Sequence, residues 1–403
     1  MDTMSVAPKP LLPVSRIMYN AERGLFDLRQ GRPLFITDKG ASPSDGGLVS
    51  GALVAAVDGL DLDSLDRFRA MGNEALRLVV TAHRIASMGL SPAEINELEH
   101  AGYSIPLRRA VNMQEILALA CSSDVVHETA AIQLSSATPG EAAGLSLVRL
   151  SRLLPAVVAM PAGTPPASRI DEALSTGELL SVDVGEVNEY YTASCDGHVV
   201  AISEAPVPLS ENEESRFVLF RESHGLQEHV AIIVGNPKYW PDPLPVRLHS
   251  ACFTGDLFGS LKCDCGEQLL GSMKFFEEKG GGVLLYLAQE GRGIGLNNKF
   301  RAYTLQENGL DTIDADRTLG FGPDERRYGV AAQILHEIGI GRIELLTNNP
   351  DKVQAMQDAG IEVVNRRPLH GTLNRYNRPY VEAKVARAGH WLHDMLAQST
   401  AGD

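Results

Sequence analysis

The chain has 403 residues, enough for two or three domains at roughly 100–200 residues each. A composition of 44% hydrophobic and 22% charged residues fits a soluble globular protein and excludes a chain disordered throughout, a collagen-like chain and a disulfide-dense mini-domain. The net charge of −15 argues against a nucleic-acid coat or a membrane-surface binder, and it requires any anionic ligand to meet a local concentration of cations.

Residues 1–14, with three prolines, read as a flexible tail with no signal-peptide core. Over Ser15–Gln30, Ala21, Leu25 and Leu28 recur at helical spacing until Gly31 and Pro33 stop the pattern. A short strand is expected at Leu34–Thr37 and a loop at Asp38–Gly47. Helical patterns follow at Val49–Val57 and Leu65–Ala75, then a strand at Leu76–Thr81 and a helix at His83–Met88. Leu145–Leu154 is helical in pattern before Pro155 breaks it, and Ala162–Ser168 reads as a linker. The longest near-apolar run, Leu153–Ala162, contains two prolines and falls short of the roughly 20 residues of a membrane span, so a cytoplasmic location is expected.

The second half is more regular. Arg216–Phe220 and Val230–Val234 read as antiparallel strands. Leu269, Met273 and Phe276 make a helix ended by Gly280, and Val283–Leu287 is a continuous apolar strand. Val330, Ile334 and Ile338 mark a helix capped by Gly339. Arg342–Leu346, Asp351–Ala359 and Ile361–Val364 then form a strand–helix–strand unit. In such units ligands gather at the carboxyl ends of strands, where Thr347-Asn348-Asn349-Pro350 and Lys352 fall.

Three of the five cysteines, Cys252, Cys263 and Cys265, fall within fourteen residues, while Cys121 and Cys195 carry no functional signal. An odd count and this clustering suit a metal in a reducing compartment better than a disulfide framework. Three thiolates with no fourth cysteine nearby suit a catalytic zinc that keeps one position open for water. His249 either closes the shell or serves as a core or supporting histidine, the latter being preferred. A zinc ion carrying three thiolates has a net charge near −1 and acidifies water weakly, so it needs a base or cations beside it. Gln289-Glu290-Gly291-Arg292-Gly293-Ile294-Gly295, a Gly-rich loop after a strand, begins a polar and cationic stretch continued by Lys299, Arg301 and Arg326, with Arg247 just upstream of the cysteines.

Taken together, Arg247-Leu248-His249-Ser250-Ala251-Cys252, the run Leu261–Gln268 with its Cys-Asp-Cys-Gly, the loop Gln289–Gly295, Asn298–Tyr303, Leu319–Arg326 and Leu346–Pro350 resemble GTP cyclohydrolase II over about residues 200–395. The resemblance implies an α/β fold, with a mixed-sheet cyclohydrolase domain at 200–395, a short tail at 396–403, and a second α/β domain at 15–195. It implies opening of the guanine imidazole ring of GTP with release of formate and pyrophosphate, the first step of riboflavin synthesis. It implies one zinc ion per catalytic domain on Cys252, Cys263 and Cys265, and Mg²⁺ with the GTP triphosphate. Arg326 matches the nucleophile that takes up the guanylyl group, Asp324 its proton acceptor, and Tyr303 the residue assisting ring opening. Nucleotide contacts are implied for Arg247, Leu248, His249, Ser250, Ala251, Gln268, Glu290, Gly291, Arg292, Thr312, Thr347 and Lys352. Glu290 further suits guanine selection, because a carboxylate accepts from the N1–H and amino group. A homodimer is implied, with no nucleic-acid or membrane partner.

One departure stands out: where many members carry an acid between the Ser and the Cys, this chain has Ala251. Residues 20–90 faintly resemble dihydroxybutanone phosphate synthase. Yet Thr37–Gly46 has only two acids and none of that enzyme's Arg-Glu pattern, so a degenerate, non-catalytic domain is expected. Two other functions remain open: a paralogue that stops early on GTP or serves pyrimidine degradation, and a non-catalytic GTP-sensing zinc module.

Overall fold

A computed structural model describes residues 18–38, 50–72, 74–90, 102–123, 132–161, 168–196, 198–223, 226–392 and 396. The expected tail at 1–14, nearly all of the expected loop at 38–47, the linker at 162–167 and all but one residue of the tail at 396–403 lie outside the described residues. The chain divides into two compact units. One joins the residues up to Ala193 to Asn297–Asp324; the other joins Ser194–Leu296 to the residues from Glu325 onward. Each is α/β, as expected, and each holds a seven-stranded mixed sheet; a mixed sheet was expected only in the second.

In the first unit the strands are β1 (Leu34–Asp38), β2 (Ser50–Ala56), β3 (Arg77–Thr81), β4 (Gly102–Pro106), β5 (Ser135–Ser136), β6 (Ala156–Pro161) and β7 (Leu180–Asp183). Their order is β5-β4-β3-β6-β2-β1-β7, and only β1 and β7 run parallel. The helix Tyr19–Arg29 buries Ala21, Leu25 and Leu28, the three positions its spacing marked. The helix expected at 65–75 runs instead over Leu62–Ala70, because Asp61 caps it through a reciprocal box with Ser64. The helical pattern at Val49–Val57 is overturned: Ser50–Ala56 form β2, paired between β1 and β6, and Val57 opens a 3-10 turn. Ala52 to Ala56 are all buried, so apolar residues fill both faces and the period-2 signature of a strand is erased.

The segment Asn297–Asp324 is stitched into this unit by polar bonds. Arg301 pairs with Asp58 at 2.5 Å, Asn298 donates to the Arg152 carbonyl at 3.0 Å, and the Thr81 hydroxyl donates to the Gly320 carbonyl at 2.6 Å. Arg84, almost wholly buried, donates to the carbonyls of Ala118, Leu119, Ser122 and Thr318 at 2.8–3.1 Å. Burial lowers its guanidinium to about 10, so it stays cationic at neutral pH, with backbone dipoles in place of a carboxylate.

In the second unit the strands are β8 (Val199–Pro206), β9 (Ser215–Glu222), β10 (Glu228–Val234), β11 (Leu244–Ser250), β12 (Gly282–Leu287), β13 (Arg342–Leu346) and β14 (Glu362–Arg367). The order is β14-β13-β11-β12-β10-β9-β8. β8 to β10 form an antiparallel meander, and β12, β11, β13 and β14 run parallel. Leu248, Val283, Leu285, Ile334, Ile343 and Met356 fill its main core. The helices Cys265–Lys279 and Pro350–Asp358 then start beside the carboxyl ends of the parallel strands, where helix dipoles favour anions.

Candidate active site

Strand β11 alternates its faces. Leu248 is wholly buried in the core, while Arg247 and His249 on the other face, and Ser250 where the strand ends, line a cleft at the carboxyl edge of the sheet. The helix Cys265–Lys279 adds Cys265 and Gln268 to the same cleft. The turn after β13 adds Thr347, and the helix it leads into adds Lys352. Arg326 completes the wall. Leu248 contributes only backbone: its carbonyl accepts from Lys352 Nζ at 2.7 Å. Ala251 sits at the end of β11 with its amide donated to the Leu287 carbonyl at 2.8 Å.

Arg247 is buried and held from two sides, donating to the Leu346 carbonyl at 2.8 Å and to the Gln268 side-chain carbonyl. Gln268 in turn donates to Asp264 at 2.6 Å. Burial lowers the Arg247 guanidinium to about 10, and Asp264 opposes that shift. Its Nε, the Nδ1 of His249 and the hydroxyl of Ser250 are buried with no hydrogen-bond partner. Three unpaired buried polar atoms at the carboxyl end of one strand are costly unless a ligand satisfies them.

The three clustered cysteines come together, every sulfur within 4.8 Å of the others and Cys252 Sγ 3.6 Å from Cys263 Sγ. A tetrahedral zinc with bonds of about 2.3 Å sets sulfurs roughly 3.8 Å apart, so this spacing fits. The chain is cut to shape around them. A Cβ added at Gly255 would lie 2.8 Å from Cys263 Sγ and 3.0 Å from Cys252 Sγ. Hydrogen bonding to its neighbour Cys252, and then burial, push the Cys263 thiol up to about 11, and Cys265 is raised as well; a cation reverses this, since thiolates crowded without one repel.

His249 stands outside the sulfur cluster and supports it. Its Nε2 lies 3.0 and 3.2 Å from the Asp256 carboxylate, which also accepts from the Cys252 amide and the Tyr286 hydroxyl, both at 2.9 Å. Burial, then the nearby Arg247 charge, hold this imidazole below its usual range, although Asp256 pulls the other way. Tyr286 joins this network because the pairing of β11 with β12 sets it opposite His249, a neighbourhood that sequence distance does not show.

In the loop after β12, Gly291 and Arg292 both have positive φ, 63° and 60°. Glu290 accepts from the Phe253 amide at 2.6 Å and the Gly291 amide at 3.1 Å, next to the cysteine turn, and the Arg292 guanidinium lies 5.4 Å from the Tyr380 ring centroid. Tyr380 itself lines the cleft, as do Lys384 and His390, none of them picked from the sequence. Tyr328, likewise missed, lies 5.5 Å from the Arg326 guanidinium and 5.4 Å from the Lys352 ammonium. Tyr303, Thr312 and Asp324 belong to the first unit; there Lys299 Nζ lies 5.6 Å from the Tyr303 ring, and Thr312 opens the helix Thr312–Thr318.

A profile described as GTP cyclohydrolase II matches residues 200–368. The chain is 39% identical over 373 residues to a GTP cyclohydrolase-2 of Xylella fastidiosa, covering 92% of this chain and 86% of that one. It is 38% identical over 398 residues to a GTP cyclohydrolase-2 of Azospirillum brasilense, covering 96% and 97%. A riboflavin biosynthesis protein RibBA of Phocaeicola vulgatus is 49% identical over 178 residues, 44% of each chain.

Proposed function

This chain belongs to the GTP cyclohydrolase II family and is an enzyme of that class, and from that premise we propose that it opens the imidazole ring of GTP, releasing formate and pyrophosphate, as a step of riboflavin synthesis. The observation that carries this reading is the row of unpaired buried atoms on Arg247, His249 and Ser250 facing a cleft that Cys265 also lines. Cys252, Cys263 and Cys265 would hold a zinc ion, which supplies Lewis acidity beside the purine.

The side chains of the cleft bind and orient. Arg247, Lys352 and Thr347 take the anionic end of the nucleotide, with Mg²⁺ neutralising part of the triphosphate. Gln268 fixes Arg247, and the Ala251 and Leu248 positions act through backbone alone. Arg326 attacks the α-phosphorus: an N–P bond forms, the bond to the β-phosphate oxygen breaks, pyrophosphate departs, and Asp324 accepts the proton. Tyr303 assists ring opening, and Thr312, Gly291 and Arg292 complete the nucleotide contacts of this reading. A homodimer and a cytoplasmic location belong to it too; no described helix is long and apolar enough to cross a membrane. The N-terminal region is read as lacking synthase activity, and conversion of ribulose 5-phosphate by the purified protein would overturn that.

The function is tested by incubating the protein with GTP and measuring formate, with and without a chelator. Formate that appears with GTP and disappears on chelation is the expected result. GTP binding with no formate would make the chain a sensing module instead, and an intact formylated product would make it a paralogue that stops early. Guanine selection has its own test. Glu290 accepts from two backbone amides beside the cysteine turn, and a carboxylate there suits the N1–H and amino donors of the guanine edge. Glu290→Gln is expected to cut the preference for GTP over ITP by at least tenfold; an unchanged ratio removes Glu290 from recognition.

A further inference from the structure

The profile match stops at residue 368, yet the chain beyond it returns to the cleft. The helix Arg378–Ala388 is capped by Gly389 in the left-handed conformation, φ 64°, which turns the chain so that the His390 amide donates to the Lys384 carbonyl at 3.1 Å. Val381 and Leu392 are buried together against Leu373 and Val385. The Trp391 amide donates to the Asn348 carbonyl at 2.9 Å, and the Trp391 ring lies 4.5 Å from the Arg366 guanidinium. This anchoring holds the segment against the turn after β13.

Tyr380 and Lys384 are four residues apart on that helix and so share a face, which is the one lining the cleft. The Lys384 ammonium lies 4.0 Å from the Tyr380 ring centroid; burial opposes its charge, but Tyr380 and the Asp264 carboxylate outweigh that and keep it cationic. The charged side chains lining the cleft are Arg247, Arg326, Lys352 and Lys384 against the single carboxylate of Asp264. Arg247 and Lys352 already donate to backbone carbonyls. His390 reports the same crowding. Burial, and then Lys384, Arg326, Arg292 and Lys352, drive its imidazole down to about 3, leaving a neutral ring among cations. On a chain of net charge −15, such an excess of cations at one cleft marks where an anion goes.

We propose that Lys384, with His390 beside it, is a substrate-binding residue that holds the polyphosphate of the nucleotide, so that residues 369–392 complete the site. This deepens the cyclohydrolase reading and rests on it. Lys384 places its point charge on the phosphates, and the neutral His390 ring donates one hydrogen bond.

The experiment compares Lys384→Gln, Lys384→Arg and His390→Asn with the parent enzyme for zinc content, formate kinetics, and affinity for GTP and for guanosine. Expected for Lys384→Gln are full zinc, a KM for GTP raised at least tenfold, kcat changed less than threefold and guanosine affinity unchanged. Lys384→Arg should recover most of the loss, and His390→Asn should lose GTP affinity at least threefold with guanosine spared. A KM within twofold of the parent, a tighter KM, or equal losses for GTP and guanosine would overturn the proposal. Should Lys384→Gln fail to fold, the GTP-to-guanosine ratio of His390→Asn decides alone. A parent protein that makes no formate would refute the function, while the two binding constants would still judge Lys384.

Discussion

Cys265→Ser is expected to leave less than a tenth of the parent's zinc and to lower formate release by about 10³-fold or more, while the fold of the sheet persists. The three sulfurs cluster within 4.8 Å of one another, and Cys265 is the one that also lines the cleft. On the proposed function, losing it would remove a zinc ligand and the one sulfur that also faces the nucleotide cleft. A serine hydroxyl is a poor substitute because zinc binds it weakly unless it is deprotonated. The same site fixes a pH dependence. Cys263 and Cys265 are both raised in the metal-free protein, so zinc binding must displace at least two protons near neutral pH. Zinc affinity should therefore fall as pH falls, by about a hundredfold or more per pH unit. Metal analysis together with formate release is the check. Full zinc and full activity in Cys265→Ser would remove the cysteine cluster from the mechanism.

Arg326→Lys carries the second large expectation. The cleft places Arg326 among Arg247 and Lys352, so lysine preserves the charge that phosphates meet and isolates the guanidinium itself. If the guanidinium is the attacking group, release of pyrophosphate and of formate should fall together by about 10³-fold, an effect on kcat with KM within roughly tenfold of the parent. If Arg326 only binds phosphate, KM should rise while kcat holds. Single-turnover measurement of both products separates the two. A variant that still releases pyrophosphate at the parent's rate would show that the guanylyl group is taken up elsewhere.

Much of the site was legible because its chemistry is local in sequence. Cys252, Cys263 and Cys265 sit within one loop and the first turn of one helix, and folding has only to close a short chain around them. Thr347 and Lys352 follow the same logic, since a strand–turn–helix unit delivers its residues to the strand end wherever it occurs. His249 Nε2 faces Asp256, and the metal-ligand cluster among the described residues comprises the three cysteines.

Sequence by itself determined the α/β class, the helix and strand periods of the second unit and the clustering of three cysteines, because periodicity and short spacing are written along the chain. Tertiary structure alone decided three things. It made Ser50–Ala56 a strand, since a segment buried on both faces carries no period to read. It grouped Asn297–Asp324 with the first unit through bonds such as Arg301–Asp58 and Arg84–Thr318, whose partners stand more than two hundred residues apart. It also brought Lys384 and His390 to the cleft, through the αL turn at Gly389 and the packing of Leu392: a glycine cap tells where a helix ends, but not which site the chain then reaches.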